Sequence, residues 1–257
     1  MNSQSTIAVI LGMRGCGKST MTRIKSSQHP RLIVFDIVDE WNDDSFFIVH
    51  NFKQFANVWR EMFHQDDYTI VVKFDYGTSK DLMNEIVSQI VALIWRTGKD
   101  SGLETCLVFE EAQFYFPNHG MHPNFMHLIT TGRHARINMI CNTQQPAEIS
   151  KLLISQSSEI YLGRIHEPNA IKYLEQSIGE IAEQTRSLEL LQFLYYPVGH
   201  LDQIVIVDLL QNRPSEEQPP EPEPEPEQEV PEGQTQNQIQ PLQKDGDDHP
   251  PKPSESL

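Results

Sequence analysis

Residues 6–20 read TIAVILGMRGCGKST. The first part, Ile7–Leu11, is a continuous apolar run, which predicts a strand buried on both faces, as in a parallel sheet. Gly12–Ser19 then match the pattern G-x-x-x-x-G-K-[ST], and polar residues compatible with a helix follow to about Ser27. A buried strand, a glycine-rich turn and a helix in this order predict a phosphate-binding loop.

The residue types in this loop have a physical reason. Glycines allow the backbone to wrap closely, so that successive N–H groups converge on a phosphate at a helix N-terminus. Lys18 can reach the β- and γ-phosphates, the Ser19 hydroxyl can ligate Mg²⁺, and Thr20 follows where contact with the α-phosphate is common. We therefore predict a nucleotide site whose binding residues are Gly12, Met13, Arg14, Gly15, Cys16, Gly17, Lys18, Ser19 and Thr20.

Cys16 lies inside this loop. We interpret it as a small residue that fills a tolerant position of the motif. The alternative is a redox-sensitive thiol, because a cysteine near a helix N-terminus has a lowered pKa.

Composition separates the chain into two parts. The formal net charge is −16, from 20 Lys+Arg and 36 Asp+Glu. Residues 214–257 contain 11 of the 17 prolines, twelve Asp/Glu against two Lys, and no aromatic residue. Such a segment cannot bury enough apolar surface to offset its ordering entropy. We predict one α/β domain over residues 1–213 and a disordered acidic Pro/Glu-rich tail over residues 214–257.

The composition also excludes several classes of protein. No apolar run approaches the ~20 residues of a membrane span, and the N-terminus lacks the basic-then-apolar plan of a signal peptide. Cys16, Cys106 and Cys141 form no C-x-x-C pair, which argues against a disulfide framework or a zinc site. We expect a soluble protein without a membrane span, in a reduced, cytoplasmic compartment.

Strand-like and helical segments alternate through residues 6–163. A long helix is predicted to begin at Ser79 and to end at Gly98, and further helical patterns cover residues 167–176 and 179–191. Residues 192–196 and 203–209 resemble an antiparallel pair. Alternation of this kind predicts an α/β fold with a mostly parallel central sheet, helices on both faces and a C-terminal antiparallel strand pair. Besides the first strand, buried parallel strands are predicted at residues 31–36, 68–74, 105–110, 137–142 and 159–163.

Two adjacent acids, Glu110 and Glu111, follow the apolar run at residues 105–109. Such a pair is expected at the carboxyl edge of the sheet, beside the phosphate-binding loop. The first acid can hold Mg²⁺ through water, and the second can polarise an attacking water. Glu110 stands where Asp is usual, and its longer side chain can reach the same water. The pair therefore favours nucleotide hydrolysis over binding alone.

Another polar group follows the strand at residues 137–142. Gln144 lies in the segment TQQP (143–146) and is expected between the acidic strand end and the phosphate-binding loop. An amide there can hydrogen-bond the γ-phosphate or the lytic water, whereas the alternative is a glutamine that caps a loop.

Four motifs occur in a characteristic order and spacing. The phosphate-binding loop is followed by LVFEEAQ (107–113), by GRHARI (132–137) and by TQQP (143–146). In this set the chain resembles the FtsK–HerA group of DNA-pumping ATPases, over residues 7–209. Within that group it is most similar to the genome-packaging ATPases of icosahedral viruses with internal membranes, which implies a RecA-like P-loop NTPase fold. Asp36 also matches a recurrent acid of the group.

The resemblance implies roles for individual residues. Lys18 and Ser19 would bind ATP and Mg²⁺, with Glu110 as the second metal-binding residue. Glu111 would be the catalytic base and Gln144 the polar sensor. Arg133 would be inserted into the site of a neighbouring subunit, where a guanidinium neutralises transition-state charge. Two alternatives stay open. The role could belong to Arg136 or Arg164, or Arg133 could lie on a solvated helix face.

The same resemblance implies the function that we expect. It is an ATP-driven translocase for double-stranded DNA that packages a viral genome into a preformed capsid, acting as a ring oligomer, a hexamer. A capsid or portal-vertex protein would be a partner, and the host-cell cytoplasm or the virion would be the location. Two alternatives are a phage assembly ATPase similar to zonula occludens toxin, whose relatives continue into a membrane span, and a nucleotide-dependent scaffold that does not pump DNA.

Overall fold

The structure is a computed structural model that describes residues 5–211. Nine strands of that part form one sheet. They are β1 (Ile7–Leu11), β2 (Arg31–Asp36), β3 (Phe47–Val49), β4 (Tyr68–Lys73), β5 (Thr105–Phe109), β6 (Ile137–Thr143), β7 (Glu159–Leu162), β8 (Gln192–Pro197) and β9 (Val205–Asp208). Their order is β3-β4-β2-β5-β6-β1-β7-β8-β9.

Helices connect the parallel strands. They are α1 (Lys18–Ser26), α2 (Phe52–Met62), α3 (Lys80–Ser101), α4 (Pro123–Thr131), α5 (Lys151–Gln156) and α6 (Pro168–Ile178). Short 3₁₀ segments include Gly132–Ala135 and Gly179–Ser187. No helix within residues 5–211 is both long and apolar enough to cross a membrane.

The predicted fold class is confirmed. β1 pairs in parallel with β6 and β7, and β2 pairs in parallel with β4 and β5. β8 is antiparallel to β9, as expected for the C-terminal pair. It is also antiparallel to β7, which was not predicted. Two helices begin after residues that are common helix caps. Asn51 caps α2 and Ser79 caps α3, each through its side-chain oxygen.

The predicted end of the long helix at Gly98 is wrong. α3 continues to Ser101 and is capped by Gly102, which has a φ of 68°. Gly98 is buried inside the helix, where an added Cβ would lie 2.6 Å from the carbonyl oxygen of Ala135. This glycine is therefore needed for close packing of the helix against a neighbouring turn.

The helical pattern at residues 179–191 forms a 3₁₀ segment that stops at Ser187. The chain then turns, and Leu191 has a φ of 67°. Its backbone N–H donates to the carbonyl oxygen of Cys16 at 3.3 Å. A contact with the phosphate-binding loop thus takes the place of the last predicted helical turn.

Apolar side chains fill both faces of the sheet, but the helices cover them unequally. Val9 and Leu11 point into the larger core and Ala8 and Ile10 into the smaller one, as alternation along a strand requires. On the smaller side, α1 contributes Met21. The larger core holds side chains from the other five helices, including Phe55, Val87, Phe125, Leu153 and Ile171.

Strand order determines where the site forms. β6 lies between β1, which leads into the phosphate-binding loop, and β5, which leads into the acidic pair. The carboxyl ends of these three strands are therefore neighbours at one edge of the sheet. The predicted acidic tail, residues 214–257, lies outside the described residues, and the predicted domain boundary stays a prediction.

Candidate active site

The phosphate-binding loop joins β1 to α1. Gly15 and Gly17 have φ values of 80° and 98°, which residues with a side chain rarely adopt. The backbone N–H of Met13 donates to the carbonyl oxygen of Arg164 at 2.9 Å, and this bond ties the loop to the segment after β7. Lys18 starts α1, and its Nζ donates to the carbonyl oxygen of Met13 at 3.0 Å across the loop.

Residues at the ends of the C-terminal strand pair pack against this loop. An added Cβ at Gly17 would lie 2.6 Å from Cδ2 of Leu191 and 3.4 Å from Cδ1 of Leu209. The backbone N–H of Leu209 donates to the carbonyl oxygen of Leu191 at 3.0 Å. The loop is therefore packed against the ends of β8 and β9 as well as against its own helix.

Cys16 is fully buried, which fits a small residue that fills its position in the loop but not the expectation that the position is tolerant. Its Sγ would lie 2.5 Å and 2.8 Å from a Cβ added at Gly12 and Gly163, so the position is tightly packed and does not tolerate larger residues. Burial raises the pKa of the thiol, and the opposing attraction of Lys18 is smaller. A buried, protonated thiol is a poor redox sensor.

Glu110 follows β5 and is only 3% exposed. The indole Nε1 of Trp41 donates to its Oε1 at 3.0 Å, and Nδ2 of Asn142 donates to its Oε2. Burial raises the pKa of the Glu110 carboxyl; the two hydrogen bonds oppose this shift, whereas the nearby carboxylates of Glu40 and Asp36 add to it. The carboxylate is held in one orientation at the base of the cleft.

Glu111 adopts a left-handed backbone conformation, with a φ of 52°. This conformation costs on the order of 1 kcal/mol for a residue other than glycine. Its backbone N–H donates to Oδ1 of Asn142 at 3.2 Å, and this contact contributes to holding the conformation. Nε2 of Gln144 donates to its Oε1 at 2.6 Å, and Nε2 of Gln113 donates to its Oε2 at 3.0 Å. Both carboxylate oxygens of Glu111 thus carry an amide donor.

One cleft of about 330 Å³ brings the predicted groups together. Lys18 and Ser19 from the loop, the acids Glu110 and Glu111, and the amide of Gln144 all line it. A hydroxyl and a buried carboxylate in one cleft are oxygen ligands of the type that Mg²⁺ prefers, so the residues fit that cation. The described structure therefore places all but one of the proposed catalytic and metal-binding residues around one site.

Arg133 is the exception. It is exposed on the 3₁₀ segment before β6 and lines a separate cavity with residues at the start of β1, including Thr6. β6 then runs seven residues to its other end, about 20 Å at the rise of a strand. Arg133 and Arg136 lie at the amino edge of the sheet, opposite the cleft. The third candidate, Arg164, lies at the carboxyl edge, because its carbonyl oxygen bonds the loop.

Sequence reasoning missed two residues that hold the acids in place. Asn142, 3% exposed, bonds Glu110 and Glu111 and also donates to Oγ1 of Thr22 in α1 at 2.9 Å. A polar residue near the carboxyl end of a mostly apolar strand was the available signal. Trp41 reaches Glu110 across 69 positions of sequence, and no local pattern indicates that contact.

A phosphate-binding loop after β1, an acidic pair after β5 and polar residues after the intervening β6 together define the P-loop NTPase fold. No protein-family model matches the chain. No curated protein matches its sequence either.

Solved structures match over most of the chain. The genome-packaging NTPase B204 of Sulfolobus turreted icosahedral virus 2, in complex with AMPPCP, has a TM-score of 0.63 and 20% identity, covering 79% of this chain and 97% of that chain. B204 of Sulfolobus turreted icosahedral virus, a DNA-packaging ATPase, has a TM-score of 0.58 and 21% identity, covering 80% and 98%. VirB4 of Thermoanaerobacter pseudethanolicus has a TM-score of 0.57 and 9% identity, covering 81% and 90%. The chain thus has the fold of these P-loop ATPases, which confirms the predicted resemblance at the level of fold.

Proposed function

We propose that this protein is an ATPase that drives double-stranded DNA into a viral capsid and acts as a ring of identical subunits. The observation that carries this proposal is the single cleft in which Lys18, Glu111 and Gln144 meet. The similarity of fold to a viral genome-packaging NTPase supports it.

ATP would bind with its phosphates against the loop. The backbone N–H groups of the loop and the N-terminus of α1 attract anions, and Lys18 supplies the positive charge for the β- and γ-phosphates. When ATP enters, Nζ of Lys18 would exchange the carbonyl oxygen of Met13 for phosphate oxygens.

Mg²⁺ would be held by the hydroxyl of Ser19 and, through water, by the carboxylate of Glu110. When bound, such a cation neutralises charge on the β- and γ-phosphate oxygens. The burial of Glu110 favours this arrangement, because a carboxylate fixed by two donors does not need to reorganise when it meets a cation.

Glu111 would act as general base. Its carboxylate accepts a proton from the water that attacks the γ-phosphorus, and the bond from that phosphorus to the bridging oxygen of ADP breaks. Gln144 donates to the same carboxylate, and its amide would orient the water or the γ-phosphate.

A guanidinium that neutralises transition-state charge would come from the next subunit. Arg133 projects from the amino edge of the sheet and the cleft opens at the carboxyl edge, so Arg133 cannot serve its own site. A head-to-tail contact between opposite edges would repeat around a ring, provided that the rotation between neighbouring subunits closes. Hexameric closure, double-stranded DNA as the substrate to be moved, and a capsid or portal-vertex partner in the host-cell cytoplasm belong to this proposal.

ATP hydrolysis measured with and without double-stranded DNA tests the proposal. We expect hydrolysis by the purified chain, loss of that activity in Lys18→Ala, and a higher rate when DNA is added. Hydrolysis that double-stranded DNA leaves unchanged would contradict translocation and favour a phage assembly ATPase. ATP binding without any hydrolysis would favour a nucleotide-dependent scaffold.

A further inference from the structure

The segment after β2 forms a tight loop over the metal-binding side of the cleft. The carboxylate of Asp36, at the end of β2, accepts the backbone N–H of Glu40 at 3.2 Å and that of Trp41 at 2.9 Å. Val38 and Glu40 line the cleft, and Trp41 turns inward and is 3% exposed. Asp36 therefore determines the path of a wall of the site.

Two further elements hold this loop. Lys73, at the end of β4, bonds the side chains of Asp39 and Asn42. Arg23 in α1 donates to the carbonyl oxygen of Glu40 and places its guanidinium 4.2 Å from the centroid of the Trp41 ring. The indole is thus fixed between α1 and the acidic strand end.

The only polar atom of the indole is its N–H, and an indole N–H can only donate. In Trp41 that donor meets Oε1 of Glu110 at 3.0 Å. Asn142 donates to the other oxygen, so both oxygens of Glu110 are bonded from different directions. Because Trp41 and Glu110 are buried, bulk water has little access to replace this donor.

We propose that Trp41 is a positioning residue for the metal-binding carboxylate of Glu110, and that Arg23 ties this carboxylate to the helix that follows the phosphate-binding loop. This inference rests on the proposed function, because it takes Glu110 as the residue that holds Mg²⁺ through water. Hydrogen-bond partners of a metal-binding carboxylate determine its orientation, and their removal weakens metal binding. Phosphate loop and metal-binding carboxylate would then move as one unit.

The test compares Trp41→Phe with Trp95→Phe. Phenylalanine at position 41 keeps an aromatic ring beside Arg23 and removes the N–H. Trp95 is the matched control, because it lies on α3 outside the cleft and its Nε1 has no hydrogen-bond partner within residues 5–211. Binding of Mn²⁺ in the presence of ADP is measured by electron paramagnetic resonance, and binding of ADP in EDTA is measured by calorimetry.

We expect Trp41→Phe to weaken Mn²⁺ binding about tenfold or more, with ADP affinity in EDTA unchanged. Excess Mg²⁺ should restore ATP hydrolysis in this variant, whereas a merely structural defect would not respond to the cation. Trp95→Phe should bind Mn²⁺ like the wild type. Equal Mn²⁺ affinity in wild type and Trp41→Phe, or an equal loss in Trp95→Phe, would overturn the inference.

A melting temperature lowered by more than about 5 °C in Trp41→Phe would indicate a packing defect. The comparison is then repeated with 3-benzothienylalanine at position 41, which keeps the ring shape without the N–H.

The proposed function and the inference about Trp41 fail in different ways. Metal-dependent ADP binding without ATP hydrolysis would contradict the proposed function and still decide the role of Trp41, whereas a wild type that binds no Mn²⁺ with ADP would contradict both.

Discussion

Gln144 donates a hydrogen bond of 2.6 Å from its Nε2 to Oε1 of Glu111. The two residues lie 33 positions apart, on segments that follow β6 and β5, and these strands are adjacent in the sheet. The predicted sensor and the predicted base are thus joined by a direct hydrogen bond. A change at the γ-phosphate that moves Gln144 would therefore alter a hydrogen bond to the carboxylate that is proposed to accept the proton.

Lys18→Ala is expected to abolish nucleotide binding. Lys18 supplies the ammonium group of the loop and lines the cleft in which ATP would bind. Calorimetric titration with ATP measures the effect, and Lys53→Ala, an exposed change on α2, is the control. ATP affinity within a few-fold of the wild type would refute the assignment.

Glu111→Gln is expected to bind ATP normally and to hydrolyse it at least ~100-fold more slowly, which is the scale of general-base catalysis. The amide keeps the shape of the side chain but cannot accept the proton. Single-turnover hydrolysis together with a binding titration separates the two effects. An inactive Glu110→Gln beside a normally active Glu111→Gln would mean that the two roles are exchanged.

Arg133→Ala is expected to bind ATP, because Arg133 lies at the opposite edge of the sheet from its own cleft. It is expected to hydrolyse ATP ~10³-fold more slowly or worse, because the variant lacks the guanidinium that would enter the neighbouring site. Mixing Arg133→Ala with Glu111→Gln should restore part of the activity. In a mixed ring, some interfaces pair an intact Glu111 with an intact Arg133 from the neighbour.

Native mass spectrometry shows whether mixed oligomers have formed. Mixed oligomers without any recovered activity would refute the role of Arg133 in a neighbouring site. Arg136 and Arg164 are then the residues to exchange in the same complementation experiment.

The stability of the nucleotide-free protein should carry a pH dependence from Glu110. Burial raises the pKa of this carboxyl in the folded state, so the folded protein keeps the proton to a higher pH than the unfolded chain does. The resulting stabilisation is fully present below the unfolded pKa and is lost as the pH rises through the folded pKa.

Urea unfolding of wild type and Glu110→Gln in EDTA, from about pH 4 to about pH 8, measures this contribution. The wild type should lose stability relative to the variant as the pH rises. Altered hydrogen bonds in the variant add an offset, so the change of the difference with pH, and not its absolute value, reports the carboxyl and the carboxylates that interact with it. A flat difference, or one of opposite sign, would contradict the raised pKa.

Gly98→Ala is expected to destabilise the fold by about 1–3 kcal/mol, because the new methyl group would meet the backbone carbonyl of Ala135. Replacing a helical glycine that has no such close neighbour gives the opposite result, since alanine stabilises a helix by about 1 kcal/mol relative to glycine. Urea unfolding decides the sign, with Asp100→Ala, exposed on the same helix, as the control. A stabilised Gly98→Ala would show that the close contact is not needed.

Much of the fold could be predicted because its signals are local. Apolar runs indicate strands buried on both faces, and Ser79 marks the start of a helix because its side chain accepts a hydrogen bond from a free backbone N–H group. The end of α3 was mispredicted because a glycine at a close contact and a glycine that caps a helix look alike in sequence. Only the neighbour of Gly98 distinguishes them.

By itself, the sequence determined the phosphate-binding loop, the acidic pair after β5 and the alternation that produces a mostly parallel sheet, because these follow from backbone sterics, burial periodicity and motif spacing. Strand order decided the rest. It placed Gln144 on Glu111 and brought Trp41 to Glu110 across 69 positions. Such contacts join side chains that are distant in the chain, and the free energy that selects them comes from packing the whole domain.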